Sequence, residues 1–286
     1  MGQSVKLGLI QTSCTSAKEE NSEFHINKIR EAVAGGAQII CTQELYQSLY
    51  FCQTHNEDFF DLAETVPGPT TEQLQELASE LGVVIVASLF EKHARGVYYN
   101  TAVVIDSDGR YLGKYRKSHI PEDPGFHEKF YFTPGDTGYK TFDTKFGKIG
   151  LLICWDQWYP EAARLTALQG ADILVYPTAI GTLPFEDEDV KKEYRDAWEI
   201  MHRSHAVANG CYVASINRVG TEGEIKFWGH SHVANPFGKL IATAGDDEEI
   251  LYVDVDFSEI EKYRRTWPFL RDRRIDTYEK MTSRHL

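Results

Sequence analysis

Three ionisable side chains in this sequence stand where strand-like runs end, and their chemistries complement one another. AQIICTQE closes on Glu44, RYLGKYRK on Lys117 and KIGLLIC on Cys154. A free thiol titrates near pH ~8.5, so a cysteine nucleophile at neutral pH needs a neighbouring base or cation. A glutamate in a suitable environment can take the thiol proton, pass it to a departing amine and then activate water. A lysine ammonium can hold the oxyanion of a tetrahedral intermediate, together with the backbone N–H after the nucleophile, here that of Trp155. Each residue alone has a plainer reading. Glu44 is then a strand-end surface charge, Lys117 one member of the basic run Lys114-Tyr115-Arg116-Lys117 on a solvated hairpin, and Cys154 a small buried hydrophobe. Strand ends open onto the crevices where α/β folds place their sites, and three complementary groups at three such ends point to catalysis.

Cys154 is the centre of that reading. A helix opened by Pro160 follows it in WDQWYPEAARLTALQG, the strand–nucleophile–helix logic of an elbow, although no GxSxG is present. The other cysteines, Cys14, Cys41, Cys52 and Cys211, read as packing residues. Five scattered cysteines without a CxxC pair argue against a disulfide framework or a structural zinc site, and the cytoplasm is the expected compartment.

The elements that must position these groups alternate from end to end, which favours one large α/β domain. Strands are expected at Val5–Gln11, Ala37–Thr42, Val83–Phe90, Tyr98–Ile105, Lys148–Cys154, Ile173–Tyr176 and Tyr212–Asn217, then at Gly229–Asn235, Leu240–Thr243 and Ile250–Val255. Turn residues at Asp106–Gly109 and Pro236–Gly238 predict antiparallel hairpins, hence mixed sheets. Helices are expected at Glu23–Ala34, Thr71–Leu81, Pro160–Leu168 and Asp189–Ala208. Thr70 and Gln73 have capping-box spacing, and Gly82 and Gly210 stand as helix stops. The domain is expected over residues 1–256. Residues 257–286, charged and aromatic, are expected to lie across it or across a partner subunit.

Composition narrows the function. The 286 residues are 42% hydrophobic and 26% charged, with a formal net charge of −13. That balance argues against a phosphate-tracking nucleic-acid binder; it is compatible with a cationic substrate, though an acidic surface is more often a solubility device. No run approaches the roughly 18 apolar residues of a membrane span, so no membrane role is expected. The N-terminus lacks the apolar core and cleavage site of a signal peptide.

QEL around Glu44, KYRKSHIP around Lys117 and LLICWDQWYPEAAR around Cys154 resemble the three signature segments of the nitrilase (carbon–nitrogen hydrolase) superfamily, in the family's order. The likeness runs from VKLGLIQTS through HEKFYFTPGDTGY, YPTAIG and FWGHSHVANPFGKL to RRTWPFLRDRRIDTY. The resemblance implies a four-layer αββα sandwich of two mixed β-sheets and a Glu–Lys–Cys site that uses no metal or cofactor. It also implies a homo-oligomer built on dimers. Glu128 falls where the superfamily often carries a second glutamate, thought to orient the lysine. YFCQ, EDFF, EKFYFTPGDTG and WPFLRDRR further resemble the branch that hydrolyses N-carbamoylputrescine. That likeness implies attack of Cys154 on a ureido carbon, oxyanion support from Lys117 and Trp155, and water activated by Glu44.

A small cationic ureido substrate needs a carboxylate or carbonyl cage for its far ammonium. Glu186, Asp187, Glu188 and Asp189 follow YPTAIG, with Glu186 nearest the strand end. Acids there also suit the positive end of the next helix. Asp156 is a further candidate, or else fixes the elbow through backbone N–H groups. Tyr50 and His127 are candidates for the pocket wall.

Rival readings remain open at this point. A relative acting on N-carbamoyl-β-alanine would want an arginine in the pocket, and Arg218 ends YVASINR. A metal-dependent hydrolase would use His230/His232 or His202/His205, spacings that can ligate zinc. A Cys–His pair would use His119 or His127, and a binding protein would use none of these. The tail's Arg264, Arg265, Arg271, Arg273 and Arg274 suit ion pairing between subunits, with Trp267, Phe269 and Tyr278 as interface anchors.

Overall fold

The strands of the first half alternate with a period of two, yet are apolar on both faces. In the computed structural model, which describes residues 4–286, Leu7, Leu9, Ile39, Cys41, Val84 and Val86 belong to one buried cluster. Their neighbours Ile10, Ile40, Ile85 and Ala87 belong to another. A sheet buried on both faces must lie between two layers.

The first sheet has the order β15 (Glu249–Val255), β1 (Val5–Gln11), β2 (Ile39–Thr42), β3 (Val84–Ala94), β4 (Val97–Ile105) and β5 (Tyr111–Arg116). β1, β2 and β3 run parallel, while β15, β4 and β5 join antiparallel. The second sheet has the order β14 (Leu240–Thr243), β13 (His232–Ala234), β10 (Tyr212–Ile216), β8 (Ile173–Pro177), β7 (Gly147–Leu151) and β6 (Lys140–Thr144). Its centre, β10, β8 and β7, is parallel and its flanks are antiparallel. Three short strands, β11 (Val219–Glu222), β12 (Ile225–Trp228) and β9 (Gly181–Thr182), form a small third sheet.

Helices α1 (Lys18–Ala34) and α2 (Pro69–Leu81) bury Ile29, Ala32, Leu74 and Leu77 against the first sheet. Helices α4 (Pro160–Ala167) and α5 (Glu188–Asn209) place Ala162, Ala163, Ala167 and Ala206 in the cluster that runs through the second. The result is the four-layer αββα sandwich. A one-turn helix, α3 (Glu128–Tyr131), precedes β6. No helix among the described residues is long and apolar enough to cross a membrane.

Both helix stops are used: Gly82 and Gly210 adopt φ of 69° and 56°, the left-handed conformation that costs glycine least. Both hairpin turns form, with Gly109 N–H on Asp106 O and Gly238 N–H on Asn235 O. The Thr70/Gln73 capping box does not. The helix starts two residues earlier at Pro69, whose missing N–H suits a first turn, and the Thr71 hydroxyl accepts Gly68 N–H. Helix α1 begins at Lys18, ahead of its apolar stripe, because its first turn is polar with Glu19 and Glu20 at the positive end. A helix α6 (Ser258–Thr266), absent from the sequence reading, packs Ile260 inward while Arg264 donates to Gly210 O and Asn209 O.

Candidate active site

Glu44 and Lys117 leave the first sheet just past β2 and β5, and Cys154 leaves the second just past β7. All three are buried at the seam between the sheets. Cys154 is not the last strand residue expected. β7 ends at Leu151, and Cys154 opens a 3-10 turn over Cys154–Trp158 with φ 39°. That conformation costs a side chain with a Cβ about 1–3 kcal/mol, so surrounding contacts must hold it. The turn's first N–H groups, those of Cys154 and Trp155, have no acceptor within the turn itself.

Lys117 is fixed by its backbone, donating N–H to Asn100 O at 2.9 Å and accepting Gly135 N–H at 2.8 Å. Its ammonium donates to Glu44 Oε1 at 2.8 Å and to Glu128 Oε2 at 2.6 Å, which leaves one of three protons uncommitted. Asn100 Nδ2 also donates to Glu44 Oε1, at 2.6 Å. Glu44 Oε2 is buried with no hydrogen-bond partner among the described residues. Tyr50 OH donates to Glu128 Oε1 at 2.7 Å.

Burial pushes the Cys154 thiol well above its ordinary range, and the Glu44 carboxylate adds to that while Lys117 opposes it. Burial works against the Lys117 charge too, but Glu128 and Glu44 outweigh it and hold its pKa well above the usual value. Burial raises Glu128 against the opposing pull of Lys117. The resting site therefore disfavours the thiolate of Cys154, beside a lysine held as its ammonium and a Glu44 with one unpartnered oxygen.

Cys154 opens onto a cavity of about 570 Å³ lined by Trp155, Trp158, Phe126, Phe185, Tyr194 and Trp228, with Asp123, Glu128 and Glu186 as its carboxylates. Among the described residues no lysine or arginine lines it. Glu186 Oε2 accepts Leu183 N–H at 2.7 Å. Asp187 is the N-cap of α5, while Glu188 and Asp189 pair with Lys191 and Lys192 at the surface, as the helix-dipole reading has it.

Three residues expected at the pocket lie elsewhere. Asp156 is fully buried, and its oxygens accept Ile153 N–H, Tyr115 OH, His119 N–H and His119 Nδ1. Tyr50 is spent on Glu128, and its backbone N–H on Glu222. His127 faces Glu122 at 2.7 Å in a neighbouring surface depression. The alternatives lose their geometry as well. Arg218 is fully buried, bound to both oxygens of Glu222 and to the carbonyls of Glu44, Leu45 and Ser48, so it cannot meet a substrate carboxylate. His232 and His202 hydrogen-bond to each other at 3.0 Å, His205 contacts Gln157 O, and His230 turns to Asp246 and Arg195. The one group of three metal-ligating side chains found among the described residues is His55, Glu122 and His127, away from the thiol cavity. His119 gives its Nδ1 to Asp156 and stacks on Tyr159 at 3.6 Å.

Sequence reasoning missed Asn100, Asp123 and, Trp155 apart, the aromatic wall. Asn100 left a trace as the polar break in VYYNTAVVI; Asp123, Phe185 and Tyr194 left none, since their approach to the thiol depends on loop and helix packing.

The carbon–nitrogen hydrolase family model matches residues 6–265. This chain belongs to the carbon–nitrogen hydrolase family. Among its fellow members, an N-carbamoylputrescine amidase of Solanum lycopersicum is 47% identical, over 96% of this chain and 94% of that protein. A citrullinase of Francisella tularensis subsp. tularensis is 41% identical, over 98% and 99%. The crystal structure of a carbon–nitrogen hydrolase from Helicobacter pylori G27 superposes with a TM-score of 0.96 at 45% identity, covering 99% of this chain and all of that one.

Proposed function

We propose that this carbon–nitrogen hydrolase cleaves N-carbamoylputrescine to putrescine, carbon dioxide and ammonia. The observation that carries the reading is the charge of the cavity: beyond the Glu128–Lys117 pair at its floor, Asp123 and Glu186 line it with no cation among the described lining residues. A ureido substrate with a distal ammonium is matched there. N-carbamoyl-β-alanine ends in a carboxylate alone, which this cavity would repel; citrulline adds a carboxylate beside its α-ammonium, and Arg218 is not free to receive either carboxylate. Glu186 is the proposed partner of the ammonium, through the oxygen it does not give to Leu183.

In this mechanism Glu44, through its unpartnered Oε2, takes the Cys154 proton as the sulfur attacks the carbamoyl carbon. The free proton of Lys117 and the Trp155 N–H receive the oxyanion. The intermediate collapses as Glu44 returns the proton to the leaving nitrogen, and a carbamoyl group (N-alkylated if ammonia leaves first) stays on sulfur. Water deprotonated by Glu44 then releases the enzyme and a carbamic acid, which breaks down to carbon dioxide and the second amine, with one water consumed overall. Glu128, gripped by Tyr50, holds Lys117 from its second side.

The proposal extends to surroundings. Five free cysteines fit a reducing cytoplasm. Exposed Leu165, Leu168, Ile200, Phe237, Trp267 and Phe269 support a homo-oligomer that covers them. The test of function is a comparison of purified protein on N-carbamoylputrescine, citrulline and N-carbamoyl-β-alanine. The first should be hydrolysed by far the fastest, Cys154→Ser should abolish turnover, and Glu186→Gln should raise KM about tenfold with little change in kcat, the value of one lost charge contact. Preference for either carboxylate-bearing substrate would overturn the reading.

A further inference from the structure

The seam brings together groups from opposite sheets, and something must keep them in register. Asp156 stands two residues after Cys154, and the residues it binds stand two before and two after Lys117. Its Oδ2 accepts Tyr115 OH at 2.8 Å and Ile153 N–H at 3.1 Å, while its Oδ1 accepts His119 N–H at 3.0 Å and His119 Nδ1 at 2.7 Å. One buried carboxylate thus ties the first-sheet segment around Lys117 to the second-sheet elbow around Cys154. The ring of His119 lies flat on Tyr159, at 5° between planes and 3.6 Å between centroids, so the clip reaches the N-cap of α4.

We propose that Asp156 is a positioning residue that sets the Lys117 ammonium against the Cys154 thiol, with Tyr115 and His119 as its arms. The proposal rests on the Glu44–Lys117–Cys154 reading above. Asp156 touches no substrate; it accepts four hydrogen bonds from donors that cannot be satisfied by a group with only one accepting oxygen. Asp156→Asn keeps the volume but turns an NH2 toward N–H donors on one side. The Cys154 φ of 39° and the approach of Lys117 both depend on that clip, and a displacement near 1 Å at reacting groups costs on the order of 100-fold in rate.

The experiment joins turnover to chemical labelling. Asp156→Asn should lose about 100-fold in kcat with KM within about threefold, since the cavity wall is untouched. The rate of Cys154 alkylation by iodoacetamide should rise at a higher pH than in the native protein, because Lys117 no longer favours the thiolate as strongly. This arm needs no substrate: native protein whose Cys154 is alkylated but which hydrolyses no ureido compound would refute the proposed function and leave the clip testable. His119→Ala, at a partly exposed ring, covers the case in which Asp156→Asn does not fold. It should lose activity and shift the alkylation profile in the same direction. His119→Asn should recover much of both, because its amide N–H can donate to Oδ1 whereas it cannot act as a base. A folded Asp156→Asn with native kcat and alkylation profile, or His119→Ala indistinguishable from native protein, overturns the proposal.

Discussion

Replacing Arg218 with methionine should cost the fold about 3–5 kcal/mol, the usual consequence of leaving one partner of a buried ion pair alone. The guanidinium is fully buried and lies 2.7 and 2.8 Å from the two oxygens of Glu222. It also donates to the carbonyls of Glu44, Leu45 and Ser48 at 2.9, 3.1 and 3.1 Å. Methionine matches much of the stem and none of the donors. Each stranded carbonyl is worth about 1–3 kcal/mol if nothing replaces the bond, but these losses overlap with that of the charge, so the upper half of the range is expected. A typical domain has about 5–15 kcal/mol in total, so the variant should survive but unfold at clearly lower urea. Adding Glu222→Gln removes the uncompensated charge, and the double variant should regain a substantial part of the loss. Urea unfolding followed by tryptophan fluorescence measures both. Turnover should fall in the single variant because Leu45, at φ 50°, and the backbone carrying Glu44 lose their anchor. A single variant within about 1 kcal/mol of native protein, or a double variant no better than the single, would refute this account of the arginine.

The remaining predictions are shorter. Glu44→Gln should reduce kcat by orders of magnitude with the fold intact, while Asn100→Ala should cost less, about tenfold, since it removes one of the two donors that orient Glu44 Oε1 without removing the base; steady-state kinetics beside melting curves separate the two. Burial holds His25 and His232 down to about 4, against about 6.5 in an unfolded chain, so the unfolded state gains protons first on acidification. Stability should therefore fall by a few kcal/mol between about pH 6.5 and 4, with His232→Gln flattening part of the slope; an unchanged urea midpoint across that window would contradict it. Light scattering should return a multiple of the 32.6 kDa chain mass at micromolar concentration, and a strict monomer would remove the proposed covering of the exposed aromatic face.

The parallel strands were legible because burial on both faces writes itself as unbroken apolar runs, and β1 was read to the residue. The short strands β9, β11 and β12 were not, since two to four residues leave no period to read. Glu44, Lys117 and Cys154 were singled out from their places after such runs, and the ordered motifs added Glu128. What sequence spacing could not convey is which way a side chain turns once its strand has ended. Asp156 and Tyr50 sit beside the site and face away from its cavity, because backbone N–H groups and Glu128 claim their oxygens first. Arg218 was weighed as a ligand for substrate and is instead a brace, a distinction that depends on Glu222 four residues on. The charged tail hid α6 because a single buried isoleucine seats it.

Splitting nucleophile and base between two sheets makes hydrolysis a gauge of how the halves of the sandwich slide. A fraction of an ångström of slip would misalign sulfur and carboxylate while every strand kept its ladder. On warming, turnover should fade ahead of the far-ultraviolet signal, and mutations deep between the layers should silence the protein at a distance without unfolding it.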